Sequence, residues 1–361
     1  MSNYKKIFLT LLCCAILSSC AVLSNGPETP AYAATPEDEN AAWQREEAAG
    51  RTIRIGYDGG ICLATTALAH IKGFFAEEGL KTELVRTPQG EQMRDAVGSG
   101  KIDTAGYFIA AWAVPVVNGI NMQFVAGANT GCQSLYVLAG SPYKTTADLK
   151  GKTIAVPNGI GNSSHNISLR FLGHDGLDPG DFNFSHVETG AVTLAMQRGE
   201  IDAATMSDQF AKKFVQDGTL RVIRSITYDD DFSHEACCVF AINGDFIRAN
   251  PITAKKLTRA FKKAGKWYQH NKEEAVRILL DQGWTSGDYD YCLTLAGELN
   301  FDISWKDTEA TLRSVVKDYK TFGLISAGKT DDEIMKIIWN PSVDDDDPVI
   351  LRYDPQKSPQ K

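Results

Sequence analysis

Two stretches of this chain repeat each other at an offset of about a hundred residues. Gly50-Arg-Thr-Ile-Arg-Ile55 returns as Gly151-Lys-Thr-Ile-Ala-Val156, and Gly100-Lys-Ile-Asp-Thr-Ala105 returns as Gly199-Glu-Ile-Asp-Ala-Ala204. The offset is nearly the same for both matches and far longer than the 20–50 residues of a repeat array, so it implies two similar lobes. Each copy opens the same way. Ile53 and Ile55 alternate with Thr52 and Arg54 as a short strand does, and Asp58-Gly59-Gly60 breaks it. Leu63, Ala67 and Ile71 then recur at helical spacing, Gly73 and Gly79 end successive helical pieces, and Leu80 to Val85 reads as a second strand. A strand–glycine loop–helix–strand unit builds a parallel or mixed α/β sheet with a ligand crevice at its strand ends. Two such lobes place the default binding site between them.

The chain has 361 residues, 43% apolar and 23% charged, enough for two cores. A formal charge of −8 without clustered Lys and Arg argues against nucleic acid. Lys5-Lys6 followed by the apolar run Ile7 to Leu17 reads as a signal peptide over residues 1–19, because the run is too short to span a bilayer. It ends in Leu17-Ser18-Ser19-Cys20, and ordinary cleavage after Ala31-Tyr32-Ala33 is the alternative. Either reading exports the protein. Residues 20–50 carry no apolar period and are expected to be a tether. The near-continuous run Cys237 to Ile242 predicts a buried strand. Beyond Pro251 the pattern is helical, and residues 341–361 read as a solvated acidic tail.

Catalytic and metal patterns are missing. No Gly-x-Ser-x-Gly elbow occurs, Ser163, Ser164 and His165 are consecutive and do not face one another on a helix, and the histidines show no ligand spacing. Past Cys20 the cysteines are Cys62, Cys132, Cys237, Cys238 and Cys292, an odd set without a Cys-x-x-Cys pair. A non-enzymatic chain with no cofactor and no metal is therefore expected. The glycine loops lead into helices whose free N–H groups can hold an oxyanion, and Ser163 and Ser164 are either ligand contacts or caps of their own helix.

Three stretches carry a family resemblance: Ile53-Arg-Ile-Gly56 with Lys72-Gly-Phe-Phe-Ala-Glu-Glu-Gly-Leu80, Ala147-Asp-Leu-Lys-Gly-Lys-Thr-Ile-Ala-Val156, and Met196-Gln-Arg-Gly-Glu-Ile-Asp-Ala203. Over about residues 51–340 the chain resembles the nitrate/sulfonate/taurine-type substrate-binding proteins of ABC importers. Leu17 to Cys20 likewise resembles the lipobox of bacterial lipoproteins, which implies a lipid anchor on Cys20. The family implies a type II periplasmic-binding-protein-like fold, monomeric, closing on a small molecule and delivering it to a membrane permease and its ATPase. It implies a first lobe at 51–135, a second lobe inserted at 136–240, and a return to the first lobe with C-terminal helices at 241–340. Cys132 to Ala139 and Cys237 to Ile242 match the family's two hinge strands, which places Cys132 and Cys237 side by side and allows a disulfide. The segments that line the family's site place Asp58, Gly59, Gly60, Cys62, Tyr107, Cys132, Gln133, Asn158, Gly161, Ser163, Ser164, His165, Ser207, Asp208 and Glu235 around the ligand. They contain carboxylates and neither Lys nor Arg, which favours a neutral, zwitterionic or amine-bearing ligand over a bare dianion. His234-Glu-Ala-Cys-Cys-Val-Phe240 is similar to a fragment of the cysteine-rich motif of thiamine-pyrimidine synthases on the same scaffold. An extracytoplasmic sensor, or a pyrimidine-related binding protein or enzyme, is the alternative reading.

Overall fold

The computed structural model describes residues 36–87 and 91–357, so Cys20 and the signal run lie outside the described residues. Ten strands form two five-stranded sheets. The first has the order β2 (Thr82–Arg86), β1 (Ile53–Tyr57), β3 (Thr104–Phe108), β10 (Ala236–Asn243) and β4 (Met122–Thr130). The second has the order β7 (Asn183–Ser185), β6 (Thr153–Ala155), β8 (Ala203–Ser207), β5 (Gln133–Leu138) and β9 (Leu220–Ser225). The two orders are the same pattern. In each, the first strand of the repeat unit pairs in parallel with its neighbours, and one long antiparallel strand is inserted beyond them.

The inserted strands explain the unbroken apolar runs. β10 lies between β3 and β4 and is buried along its whole length, so both of its faces need apolar side chains. Gly73 and Gly79 adopt φ of 87° and 80°, the left-handed turn that ends a helix and that glycine enters without a Cβ clash. The apolar run after β3 is the helix Ile109–Val117, with Pro115 in its last turn. The second lobe has a core of its own around Tyr136, Val192, Met196 and Met206.

The chain crosses between the sheets twice. Gly131-Cys132 joins β4 in one sheet to β5 in the other, and residues 226–235 join β9 back to β10. At these crossings Cys132 and Cys237 lie side by side, as expected. Cys132 to Ala139 and Cys237 to Ile242 are not paired strands, because β5 and β10 belong to different sheets; only their ends meet, where the crossings pass.

Two terminal segments also depart from expectation. Residues 36–50, expected as part of a tether, form the helix Pro36–Trp43 and a 3-10 turn at Glu47–Gly50. Trp43 is buried and its indole N–H donates to Thr253 Oγ1 at 3.0 Å. Glu46 accepts from the N–H groups of Ile252 and Thr253 at 2.6 and 2.8 Å, at the start of the helix Pro251–His270. A carboxylate at a helix N-terminus satisfies orphan donors and complements the macrodipole, which is why this stretch docks. The acidic tail docks on the same helix: Asp345 meets Lys262 at 2.9 Å and Asp347 meets Arg259 at 2.9 Å. Its carboxylates answer basic side chains that sequence distance had concealed.

Candidate interlobe binding site

A cleft of about 370 Å³ opens between the two sheets at the ends of their strands. The first lobe supplies Asp58, Gly60, Cys62 and Leu63 from the loop after β1, and Phe108 from the end of β3. The second lobe supplies Gln133 at the start of β5, Pro157 and Asn158 after β6, Thr189, and Met206, Ser207, Gln209 and Phe210 around the end of β8. Among the described residues Asp58 is the only carboxyl in this lining, and no Lys or Arg joins it. Burial raises its pKa above the usual carboxylate range.

Gln133 is buried to 1% exposure, and its Oε1 has no hydrogen-bond partner within the protein. An unpaired buried amide oxygen costs roughly 1–3 kcal/mol, so a cleft that retains one has an acceptor waiting for a donor. Opposite it, the side chain of Gln209 spans the lobes: Oε1 accepts from the Ile61 N–H at 3.1 Å, and Tyr291 Oη donates to the Gln209 carbonyl at 2.6 Å.

The backbone donors expected to grip the ligand are already used. Gly60 N–H donates to Asp58 Oδ1 at 2.8 Å and Ile61 N–H to Gln209. In the second loop Asn158 N–H donates to Ser164 Oγ at 3.1 Å, and Gly161 N–H to His165 Nδ1 at 3.2 Å. Ser163 Oγ donates to Asn158 Oδ1 at 3.1 Å. Each glycine loop folds on its own side chains, which is the common fate of Asn, Asp and Ser beside a turn.

Below the cleft floor, Asp208 begins the helix Asp208–Gln216 and accepts from Tyr136 Oη and Thr227 Oγ1, both at 2.5 Å. Burial raises its carboxyl above the usual range, and burial raises the Tyr136 phenol as well. Beside it the sulfurs of Cys62, Cys132 and Cys238 lie within 4.8 Å of one another, and Cys132 Sγ is 3.0 Å from Cys237 Sγ with no bridge formed. Burial pushes the Cys132 thiol up to about 12 and holds Cys237 and Cys238 well above the ordinary thiol range. Cys62 is raised too, first through its sulfur contact with Cys132.

The profile of the NMT1-like family matches residues 46–280, more than half of the chain. The chain belongs to the NMT1-like family. It is 29% identical over 185 residues to an Escherichia coli (strain K12) protein provisionally named an aliphatic sulfonates-binding protein, a match covering 50% of this chain and 57% of that one. It is 27% identical over 214 residues to the 4-amino-5-hydroxymethyl-2-methylpyrimidine phosphate synthase of Aspergillus parasiticus, covering 55% of this chain and 60% of the synthase. Among solved structures, the alkanesulfonate-binding protein SsuA of Xanthomonas axonopodis pv. citri, bound to MOPS, superposes with a TM-score of 0.64 at 19% identity. That superposition covers 81% of this chain and 99% of SsuA, and shows that this NMT1-like chain has the periplasmic-binding-protein fold.

Of the residues expected around the ligand, the NMT1-like cleft brings Asp58, Gly60, Cys62, Gln133, Asn158 and Ser207 together. Others stand elsewhere. Tyr107 stacks on Trp112 at 5.4 Å in the core and leaves the wall to Phe108. His165 packs edge-on to Phe184 at 4.7 Å, away from the lining. The Gly59 carbonyl accepts from Thr285 Oγ1 at 2.8 Å. Glu235 is held by Arg170 through two contacts at 2.6 and 3.1 Å, so its charge is spent within the protein. Gly161, Ser163 and Ser164 serve their loop, while Cys132 and Asp208 lie beneath the floor. Thr189 was missed because nothing around it marks a loop as facing the other lobe. Gln209 lies in a segment expected to line the site, but its span to the other lobe was not legible because its partner amide is 148 residues away.

Proposed function

We propose that this NMT1-like protein is the extracytoplasmic solute-binding component of an ABC importer, exported, lipid-anchored through Cys20 and monomeric, handing a small molecule to a permease and its ATPase. The single observation that favours a binding role is the interlobe cleft itself: Asp58 and Gln133, whose buried amide oxygen has no partner in the protein, both line a cavity of solute size. The name of the Escherichia coli relative supports the sulfonate/nitrate/taurine-type class. The wall chemistry narrows that class. With a carboxyl and no cation in the lining, a bare anion gains little, whereas an amine or a zwitterion such as an amino-sulfonate gains both an ion partner and an acceptor.

A second reading has its own support. An aminopyrimidine presents an exocyclic N–H beside ring nitrogens, which suits a carboxamide and a carboxyl, and the similarity to the pyrimidine synthase points the same way. A thermal-shift panel of taurine, alkanesulfonates, nitrate, simple amines and aminopyrimidines tests both. A solute that binds only the folded state at a hundred times its Kd stabilises it by about 2.7 kcal/mol. The amine-bearing members are expected to raise the melting temperature and nitrate is not; a shift with nitrate alone contradicts the proposal.

A further inference from the structure

Four of the five described cysteines converge at one point, although they come from three separate parts of the chain. Cys62 stands in the loop after β1, Cys132 at the first crossing, and Cys237 and Cys238 at the return. We propose that this cluster binds one soft, thiophilic metal ion, monovalent copper or zinc, at the floor of the cleft.

The geometry is close to what a metal requires. Metal–sulfur bonds near 2.3 Å place the sulfurs around one ion roughly 4 Å apart. Cys62, Cys132 and Cys238 fall within 4.8 Å of each other, so a movement of less than about an ångström gathers them. Cys237 Sγ lies 3.0 Å from that of Cys132 and 3.8 Å from that of Cys238, near enough to be a fourth ligand. The donor set is sulfur alone, which selects monovalent copper or zinc over magnesium or calcium.

Buried cysteines usually act as small apolar residues, and two features here are not explained by packing. Cys132 has φ of 93°, the only non-glycine residue with positive φ among those described. Such a conformation costs on the order of 1–3 kcal/mol, and the surroundings hold it in place: its N–H donates to Thr227 Oγ1 at 2.8 Å and its carbonyl accepts from Asp208 N–H at 3.0 Å. Both contacts come from the second lobe and aim the sulfur at the cluster. Cys62, alone of the four, reaches the cleft wall, which gives an ion a path in.

The test is a titration of the full chain, solubilised in detergent under reducing, oxygen-free conditions, with Cu(I) and separately with Zn(II), each against a competing chelator. At least one of the two is expected to bind at one ion per chain. X-ray absorption of that wild-type complex should show a sulfur-only shell. Cys62→Ser, Cys132→Ser and Cys238→Ser should each weaken binding by more than the roughly tenfold that an outer-shell partner is worth. Cys292→Ser, whose sulfur bonds the Ser286 carbonyl instead, should leave binding unchanged. The wild-type absorption spectrum decides the matter even if a serine variant fails to fold. Loss of both metals to the chelator overturns the proposal, as does a nitrogen- or oxygen-dominated shell. A Cys132–Cys237 disulfide in the isolated protein, with neither metal retained after reduction, overturns it as well.

Discussion

Gln133 illustrates how a single residue separates a binding cleft from a packing defect. Its amide is buried and its Oε1 unpaired, which costs stability in the empty protein, and on the proposed reading the complex supplies the missing donor. Gln133→Leu, similar in volume and apolar, should raise the stability of the empty protein by about 1 kcal/mol in denaturant titration. The same variant should bind the solute found by the thermal-shift panel at least about tenfold more weakly, the value of one lost hydrogen bond. A variant that is less stable and binds normally would mean that the amide is structural. The position of Gln133 at the cleft was legible because it follows the Gly131-Cys132 crossing. The ion pair of Glu235 was not legible, since its partner Arg170 is 65 residues upstream and nothing local announces the pair.

At the scale of elements, the helix Pro251–His270 is a docking rail for both ends of the described chain. Trp43 lies on Lys256, with the ammonium 4.5 Å from the ring centroid, and Glu46 caps the helix start. Trp43→Ala should therefore lower unfolding stability by about 3–5 kcal/mol, as for a large buried aromatic; an unchanged denaturation midpoint would restore the tether reading. β10 was readable from the apolar run Cys237 to Ile242, because a strand buried on both faces must show one. The docking of residues 36–50 was not readable, because Glu46 finds its amides 206 residues away.

A second element-level contact couples the lobes and responds to pH. Arg170, on the helix Ser163–His174 of the second lobe, pairs with Glu235 at 2.6 Å and with Asp318 of the helix Trp305–Thr321 at 2.7 Å. His174 bridges Asp318 at 3.2 Å and Asp231 at 3.3 Å. The hydrogen bond to Asp318 is the main cause that raises the His174 pKa, while Arg170 opposes it. A group whose folded pKa is raised adds stability that is full below its unfolded value, about 6.5, and is lost as pH rises through the folded value. The melting temperature of the native protein should therefore exceed that of His174→Asn most below about pH 6, and the gap should narrow as pH rises. A gap that widens with pH would contradict this assignment.

For the whole molecule, the duplication announced two lobes before any side chain was placed, and the two sheet orders repeat it strand for strand. The lobes are joined on both sides of the cleft, by Arg170 and Asp318 on one and by Lys212, Tyr228 and Glu298 on the other. These contacts, with the Gln209 span, leave a solute-sized space whose loop amides already have partners within the protein, so the proposed binding rests on side chains. The measurement that tests this account most directly is calorimetric titration of four proteins with the solute from the panel: native, Gln133→Leu, Asp58→Asn and His165→Ala. One solute per chain should bind the native protein and His165→Ala alike, with affinity falling about tenfold or more in the two cleft variants. Native affinity in both cleft variants, or its loss in His165→Ala alone, would place the solute outside the interlobe cleft and contradict the account.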